Sequence, residues 1–389
     1  MHRLKIDLIA AARPNFMKVA PLFHVLRGEA WCSLRLVHTG QHYDRNMSDA
    51  FFQDLGLPSP DLHLGVGSGS HAEQTANVML AYEQACNEGQ PDLIVVVGDV
   101  NSTLACTLVG SKLHIPVAHL EAGLRSGDRR MPEEINRLVT DTLADILWTP
   151  SPDGDENLAA EGVPADKITR VGNIMIDSYE LRRARIEASG ERGKLGLEDR
   201  RYAVVTLHRP SNVDEEAPLA ALVRQLTNIA SKLPLVFPVH PRTRKNLETF
   251  GLWAKLADAP GMQLIEPLGY VDFMNLVCGA RLVITDSGGV QEETTYLDIP
   301  CLTLRTTTER PITITQGTNR LLGASELAMA VEEVLAGCWP HGRKPELWDG
   351  HTAARVAADI QLRLLDVPGT DERVEDRAEN PVRHAVGNA

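Results

Sequence analysis

Leu282-Val-Ile-Thr-Asp286-Ser287-Gly288-Gly289-Val290-Gln291-Glu292-Glu293 reads as an apolar run, a glycine turn and a polar helix start. The run Leu282 to Thr285 has the length and β-branched content of a buried strand, and the glycines allow a tight turn into a helix. With Ser287 as N-cap, the third helical residue is Val290, so no capping-box carboxylate occupies that end. Its amides are then free for phosphate oxygens, and Gly288 and Gly289 admit a diphosphate close to the backbone. Glu292 or Glu293, one turn on, can take ribose hydroxyls as acidic residues do in dinucleotide sites. A plain strand-to-helix turn is the other reading of this stretch.

The same alternation of short apolar runs and amphipathic stretches extends through the chain, the pattern of strands joined by crossover helices into parallel sheets. Strands are expected at Leu4–Ala10, Leu34–Thr39, Leu93–Gly98, Pro116–Leu120 and Ile146–Thr149, and again at Tyr202–Leu207, Leu235–Val239, Met262–Ile265, Leu282–Thr285 and Cys301–Leu304. The two sets are separated by Leu181–Arg201, a charged, glycine-interrupted stretch that reads as an interdomain connection. A length of 389 residues exceeds what one core usually supports. The expected fold class is therefore α/β, with two Rossmann-like domains facing a central cleft: residues 1–180, a connection at 181–201, and residues 202–365. The last helices can pack back on the first domain. The tail 366–389, charged and poor in apolar residues, is expected to be poorly ordered. Ligands bind open α/β sheets at the carboxyl ends of the strands, so the chemistry is sought there.

Composition narrows the function. No apolar run approaches the ~20 residues of a bilayer-spanning helix, and Asp7 interrupts the first apolar stretch, unlike a secretion signal. A cytoplasmic protein is expected. The net charge of −13 disfavours nucleic acid and anionic membranes as partners, so an anionic small ligand requires a locally basic pocket. Cys32, Cys86, Cys106, Cys278, Cys301 and Cys338 are scattered without zinc-ligand spacing and read as small buried thiols.

Candidate cations lie at strand ends. Arg13 and Lys18 flank a helix start marked by Pro14; His240, Arg242 and Arg244 follow another strand; Arg305 and Arg310 lie in a polar loop after the last. Carboxylates gather at the strand ends of the first half: Asp99 in GlyAspValAsnSerThr, Glu121 in HisLeuGluAlaGlyLeuArgSer, and the Glu133–Glu134 pair in ProGluGluIleAsnArg. On the latter helix the apolar stripe Ile135, Leu138, Val139, Leu143 and Ile146 is expected to face inward, leaving Glu133 the freer acid. Acids in a first helical turn can also serve only the helix dipole. His208, ending the strand before it, can ligate phosphate or donate a proton to a leaving group. Asp153-Gly154-Asp155 matches a metal-binding DxD pattern but reads better as a solvated turn.

In order and spacing over roughly residues 4 to 323, these motifs, with GlyGlnHisTyr at Gly40–Tyr43, resemble the non-hydrolysing UDP-N-acetylglucosamine 2-epimerases. The resemblance implies a glycosyltransferase-B-like fold, a UDP-sugar in the cleft and a homodimer, without metal or added nicotinamide. It also implies loss of UDP with removal of the C2 proton to give a 2-acetamidoglucal, then re-addition of UDP with protonation from the opposite face. Carried over by motif, Asp99, Glu121 and Glu133 become the acid, base and cation-stabilising candidates, and His208 assists departure of UDP. Arg13, Lys18, His240, Ser287, Gly288, Gly289 and Glu293 hold the nucleotide. Ala11-Ala12, Asn15 and the ProSerAsn after Arg209 depart from the commonest family pattern, as does Ser68–Gln74, where some bacterial members bind a regulatory substrate molecule. A hydrolysing epimerase, a 2-epimerase of a diacetamido uronic-acid nucleotide, a UDP-dependent glycosyltransferase and a nucleotide-sugar sensor are the competing functions.

Overall fold

The computed structural model describes residues 3–11, 13–40 and 55–365. Residues 41–43 of the GlyGlnHisTyr motif, Ala12 and the tail after residue 365 lie outside the described residues. Two parallel sheets form. In the first, β1 (Leu4–Ala10), β2 (Cys32–His38), β3 (Leu62–His63), β4 (Leu93–Val97), β5 (Val117–Leu120), β6 (Ile146–Thr149) and β7 (Ile168–Arg170) lie in the order β3-β2-β1-β4-β5-β6-β7. In the second, β8 (Ala203–Thr206), β9 (Leu235–Pro238), β10 (Met262–Ile265), β11 (Leu282–Thr285), β12 (Cys301–Thr303) and β13 (Asn319–Leu321) lie in the order β10-β9-β8-β11-β12-β13. All ten expected strands are present, with ends shifted by no more than two residues; β3, β7 and β13 were not anticipated. Burial on both faces explains the near-continuous apolar runs of β4 and β11, whose residues are all buried. Strand order reverses between β1 and β4 and between β8 and β11. Each sheet therefore has a crevice at those carboxyl ends.

The chain passes between the halves twice. The Ile174–Ala188 helix places Ile174 and Met175 in the core of the first sheet, and Ile176, Tyr179 and Ile186 in that of the second. After β13 the chain returns. Trp348 packs in the second core, while Ala353, Val356, Ala357 and Ile360 of the Thr352–Leu364 helix complete the first. Polar bonds fix that return: Asp177 accepts from the Thr352 and Ala353 amides at 3.1 and 2.8 Å, and Trp148 Nε1 donates to Asp359 at 2.7 Å.

Three expectations are corrected. The Pro132–Leu143 helix buries Glu134, Asn136, Arg137, Thr140 and Asp141, while Ile135 is 39% exposed. Of the other expected stripe residues, Leu138, Val139 and Leu143 are half-buried, because the inner face of the helix serves a polar network, and Ile146 is buried in β6, beyond the helix. Asp153 and Asp155 belong to the first turn of the Pro152–Ala160 helix, not to a solvated turn; Asp155 bonds Thr149 and pairs with Arg170 at 2.7 Å. Cys338 is exposed and Cys278 partly so, whereas the other four thiols are buried. Among the described residues no helix is long and apolar enough to cross a membrane.

Candidate active site

The carboxyl end of β1 runs into the Arg13–Gly28 helix, whose first turn contains Arg13 and Pro14. Asn15 pins this turn to the neighbouring strand end, accepting from the Ala11 amide at 3.0 Å and donating to the Val97 carbonyl at 2.7 Å. Lys18, one turn on and partly buried, forms an ion pair with the buried Glu121. Burial alone would lower its basicity; Glu121 and Asp99 outweigh burial and hold the ammonium protonated. The backbone beneath is tight, since a Cβ on Gly98 would lie 3.2 Å from Lys18 Nζ and 3.5 Å from Glu121 Oε2.

Asp99 follows at the end of β4. Its Oδ2 receives Nε and Nη2 of Arg137 at 3.1 and 2.9 Å, and Asn136 donates to its carbonyl at 2.8 Å. Burial raises the Asp99 pKa, but Arg137, Lys18 and Arg310 outweigh it and keep the carboxyl below its ordinary range. Arg137 also pairs with Glu134, which accepts from the Ser126 and Gly127 amides. Glu134 is thereby committed to structure, and Glu133 stands half-buried beside it. The sequence contained Arg137 within its ProGluGluIleAsnArg motif; the expected apolar stripe concealed that Arg137 points inward.

The second half supplies the opposing wall. His208, after β8, sets its Nδ1 3.0 Å from Asp286 Oδ1, and the buried Asp286 also receives the His208 and Arg209 amides and Asn212. Burial raises the Asp286 pKa, yet His208 and these donors more than offset it and keep it ionised. His208 and His240 stand with ring centroids 5.7 Å apart. The Gly288–Tyr296 helix begins after Ser287, the expected N-cap residue, whose side chain makes no capping hydrogen bond. At Gly288 a Cβ would meet Arg310 Nη1 and Glu309 Oε1, each at 2.9 Å, so both side chains would have to shift to admit one.

Arg310 binds the turn to the rest. It lies 2.8 Å from Glu292 and 2.7 Å from Glu309, which also pairs with Arg305 at 2.8 Å. Glu292 in turn accepts from Asn173 of the first half at 2.9 Å. Despite burial, which lowers it, Arg310 is held firmly charged by Glu292, Glu309 and Glu121. Its positive charge reaches Lys18 and Asp99, and Glu133 is close enough to act on Arg209. The carboxylates of one sheet and the cations of the other thus form one electrostatic unit across the cleft.

The remaining candidates separate from that unit. Glu293 is buried beside Tyr270, and burial pushes its carboxyl up to about 8. Arg242 is held in an exposed pair with Asp214, and Arg244 pairs with Glu248 and Glu266, so neither adds to the expected basic pocket. His240 instead caps its own helix, its Nδ1 accepting from the Arg242 amide at 3.2 Å. Among the described residues no group of three or more His, Cys, Asp or Glu side chains is arranged to hold a metal ion.

Two doubly wound sheets with their switch-point residues drawn into one charged unit define a glycosyltransferase-B-like, two-domain α/β protein. The chain belongs to the UDP-N-acetylglucosamine 2-epimerase family, whose sequence model matches residues 24–361. It is 41% identical over 340 residues to a UDP-N-acetylglucosamine 2-epimerase of Methanocaldococcus jannaschii, covering 85% of this chain and 92% of that relative. It is also 41% identical over 326 residues to a UDP-2,3-diacetamido-2,3-dideoxy-D-glucuronate 2-epimerase of Pseudomonas aeruginosa, covering 83% and 89%. The crystal structure of the M. jannaschii UDP-GlcNAc 2-epimerase in complex with UDP-GlcNAc and UDP superposes with a TM-score of 0.84 at 38% identity, covering 92% of this chain and 100% of that one.

Proposed function

We propose that this protein interconverts UDP-N-acetylglucosamine and UDP-N-acetylmannosamine by non-hydrolysing epimerisation at C2. The observation that carries this reading is the pair of cation-held carboxylates at adjacent strand ends, Glu121 buried and Asp99 half-buried, facing Arg310 of the other half. The bond from C1 to the UDP oxygen breaks, a carboxylate takes the C2 proton, and the pair of electrons left at C2 forms the C1–C2 double bond of a 2-acetamidoglucal. UDP then adds back to C1 while an acid on the other face returns a proton to C2. Asp99, kept ionised by Arg137, suits the base. Glu121 and Glu133 serve as acid and as stabiliser of the positive charge at C1. His208, oriented by Asp286, assists departure of UDP. Arg13, Lys18, His240, Arg310 and the Ser287–Gly289 turn hold the diphosphate, and Glu293 holds the ribose. Arg242 supports this shell only if it leaves Asp214.

Incubation with UDP-N-acetylglucosamine in deuterated water tests this. We expect deuterium at C2 and formation of UDP-N-acetylmannosamine; free N-acetylmannosamine with stoichiometric UDP would instead identify a hydrolysing enzyme. A second reading, epimerisation of a diacetamido-glucuronate nucleotide, is favoured by the Pseudomonas relative being as similar as the M. jannaschii one. Comparing kcat/KM on both nucleotides separates the two. We further infer a cytoplasmic homodimer, with the domains meeting at 181–201. The His71–Gly89, Asn101–Lys112 and Pro132–Leu143 helices lie side by side, and Leu80 (69% exposed) and Ile135 give this layer an outward apolar face suited to a second copy.

A further inference from the structure

His119 lies on β5 two residues before Glu121 and is buried. Its Nδ1 is 2.6 Å from Asp141 Oδ1, and its Nε2 is 2.8 Å from the Gly98 carbonyl oxygen. A carbonyl oxygen only accepts, so Nε2 carries a hydrogen. Asp141 Oδ2 is occupied by the Gly123 amide at 3.0 Å and by Arg125 at 2.7 Å. Burial would raise the Asp141 carboxyl, but His119, Arg125 and the Gly123 amide together hold it below its usual range. Asp141 thus faces Nδ1 as a carboxylate acceptor. Turning the ring over would bring carbon atoms against those oxygens, far inside the ~3.3 Å at which C–H groups meet oxygen.

These contacts bracket the proposed chemistry. Asp141 grips the chain on both sides of Glu121, through His119 two residues before and the Gly123 amide two residues after. Between those grips Glu121 has φ +76°, a left-handed backbone that non-glycine residues seldom adopt. At its other end the imidazole holds the carbonyl of Gly98, the residue preceding Asp99. One buried ring therefore ties the backbone of both carboxylates together across β4 and β5.

We propose that His119, held between Asp141 and the Gly98 carbonyl, is a positioning residue that sets the spacing between Asp99 and Glu121. It touches no reacting atom; it acts by fixing the two strand ends. The proposal rests on the proton-transfer roles given to Asp99 and Glu121 above. In full-length protein labelled with 15N-histidine, the His119 ring shows a slowly exchanging Nε2–H, as the contact with the Gly98 carbonyl requires, the signal being identified by its loss in His119→Gln. In Asp141→Asn, kcat falls by about a hundredfold, as expected for displaced reacting groups. KM and UDP affinity stay within about threefold, because most of the groups given to the nucleotide, His240, Arg310, the Ser287–Gly289 turn and Glu293, lie in the other half. A His119 Nε2 that carries no hydrogen overturns the proposal, as does a folded Asp141→Asn with kcat within about twofold of the parent. Should Asp141→Asn fail to fold, the ring signal of the unaltered protein still decides. If that protein turns over neither nucleotide, the functional reading fails while the ring signal reports independently on the clamp.

Discussion

Arg310→Met removes the one cation shared by Glu292 and Glu309, and its cost follows from their burial. All three side chains are at most 8% exposed, with contacts of 2.8 and 2.7 Å. At an effective dielectric near 20, each pair at a charge separation of about 4 Å contributes about 4 kcal/mol of attraction. The guanidinium's own desolvation offsets much of that sum. What the substitution leaves is two buried carboxylates, one of them still paired with Arg305. Breaking a buried ion pair in this way costs about 3–5 kcal/mol. For a domain of this size that is a fall of about 6–20 °C in Tm. The deficit depends on pH. Burial already raises the Glu292 pKa in the parent protein, and loss of Arg310 raises it further. Protonation of Glu292 therefore relieves the variant as pH falls from 8 toward the unfolded carboxylate range of about 4.3. Glu309 acts the other way in the parent: its depressed pKa gives stability that is present above the unfolded range and lost at lower pH. Between pH 8 and pH 5 the gap therefore shrinks through Glu292, the Glu309 effect setting in only below about pH 4.3. Calorimetry of parent and variant at pH 8 and pH 5 measures it. A loss below about 1 kcal/mol at pH 8, or a gap that widens at pH 5, would refute the reasoning.

Other outcomes follow from the same geometry. Asp99→Asn and Glu133→Gln should each abolish deuterium entry at C2 while UDP still binds by calorimetric titration; near-normal exchange in both would remove these roles. Glu293, at about 8 in the folded protein, holds its proton far above the unfolded carboxylate range, so its ionisation costs stability progressively from about pH 4.3 to about 8. Glu293→Gln should match the parent at pH 4 and gain an advantage on the order of a few kcal/mol by pH 8, seen in urea unfolding; a pH-independent difference would contradict this. Ile135→Glu combined with Leu80→Glu should shift sedimentation from dimer to monomer, and an unchanged profile would move the interface elsewhere.

The strands were legible because parallel strands buried on both faces must be written as continuous apolar runs, as in Leu93–Val97 and Leu282–Thr285. Leu62–His63, Ile168–Arg170 and Asn319–Leu321 escaped notice because edge strands of two or three residues carry no readable period. Motif positions placed Asp99, Glu121 and His208 at strand ends. Their partners were hidden for a physical reason. Hydrophobic patterning assumes that a helix turns its apolar face inward, and the Pro132–Leu143 helix turns Arg137 and Asp141 inward instead. Likewise, two arginines within three residues looked like one basic pocket, yet Arg242 and Arg244 reach Asp214 and Glu266, acids from distant segments.

The return of the Thr352–Leu364 helix to the first sheet sets an order on biosynthesis. The second half is contiguous, so its core can close once its own strands have left the ribosome. The first half is begun earlier but lacks Ala353, Val356, Ala357 and Ile360 until the end. The usual vectorial rule, in which the amino-terminal unit folds first, is thus inverted here: the part synthesised first is the part finished last.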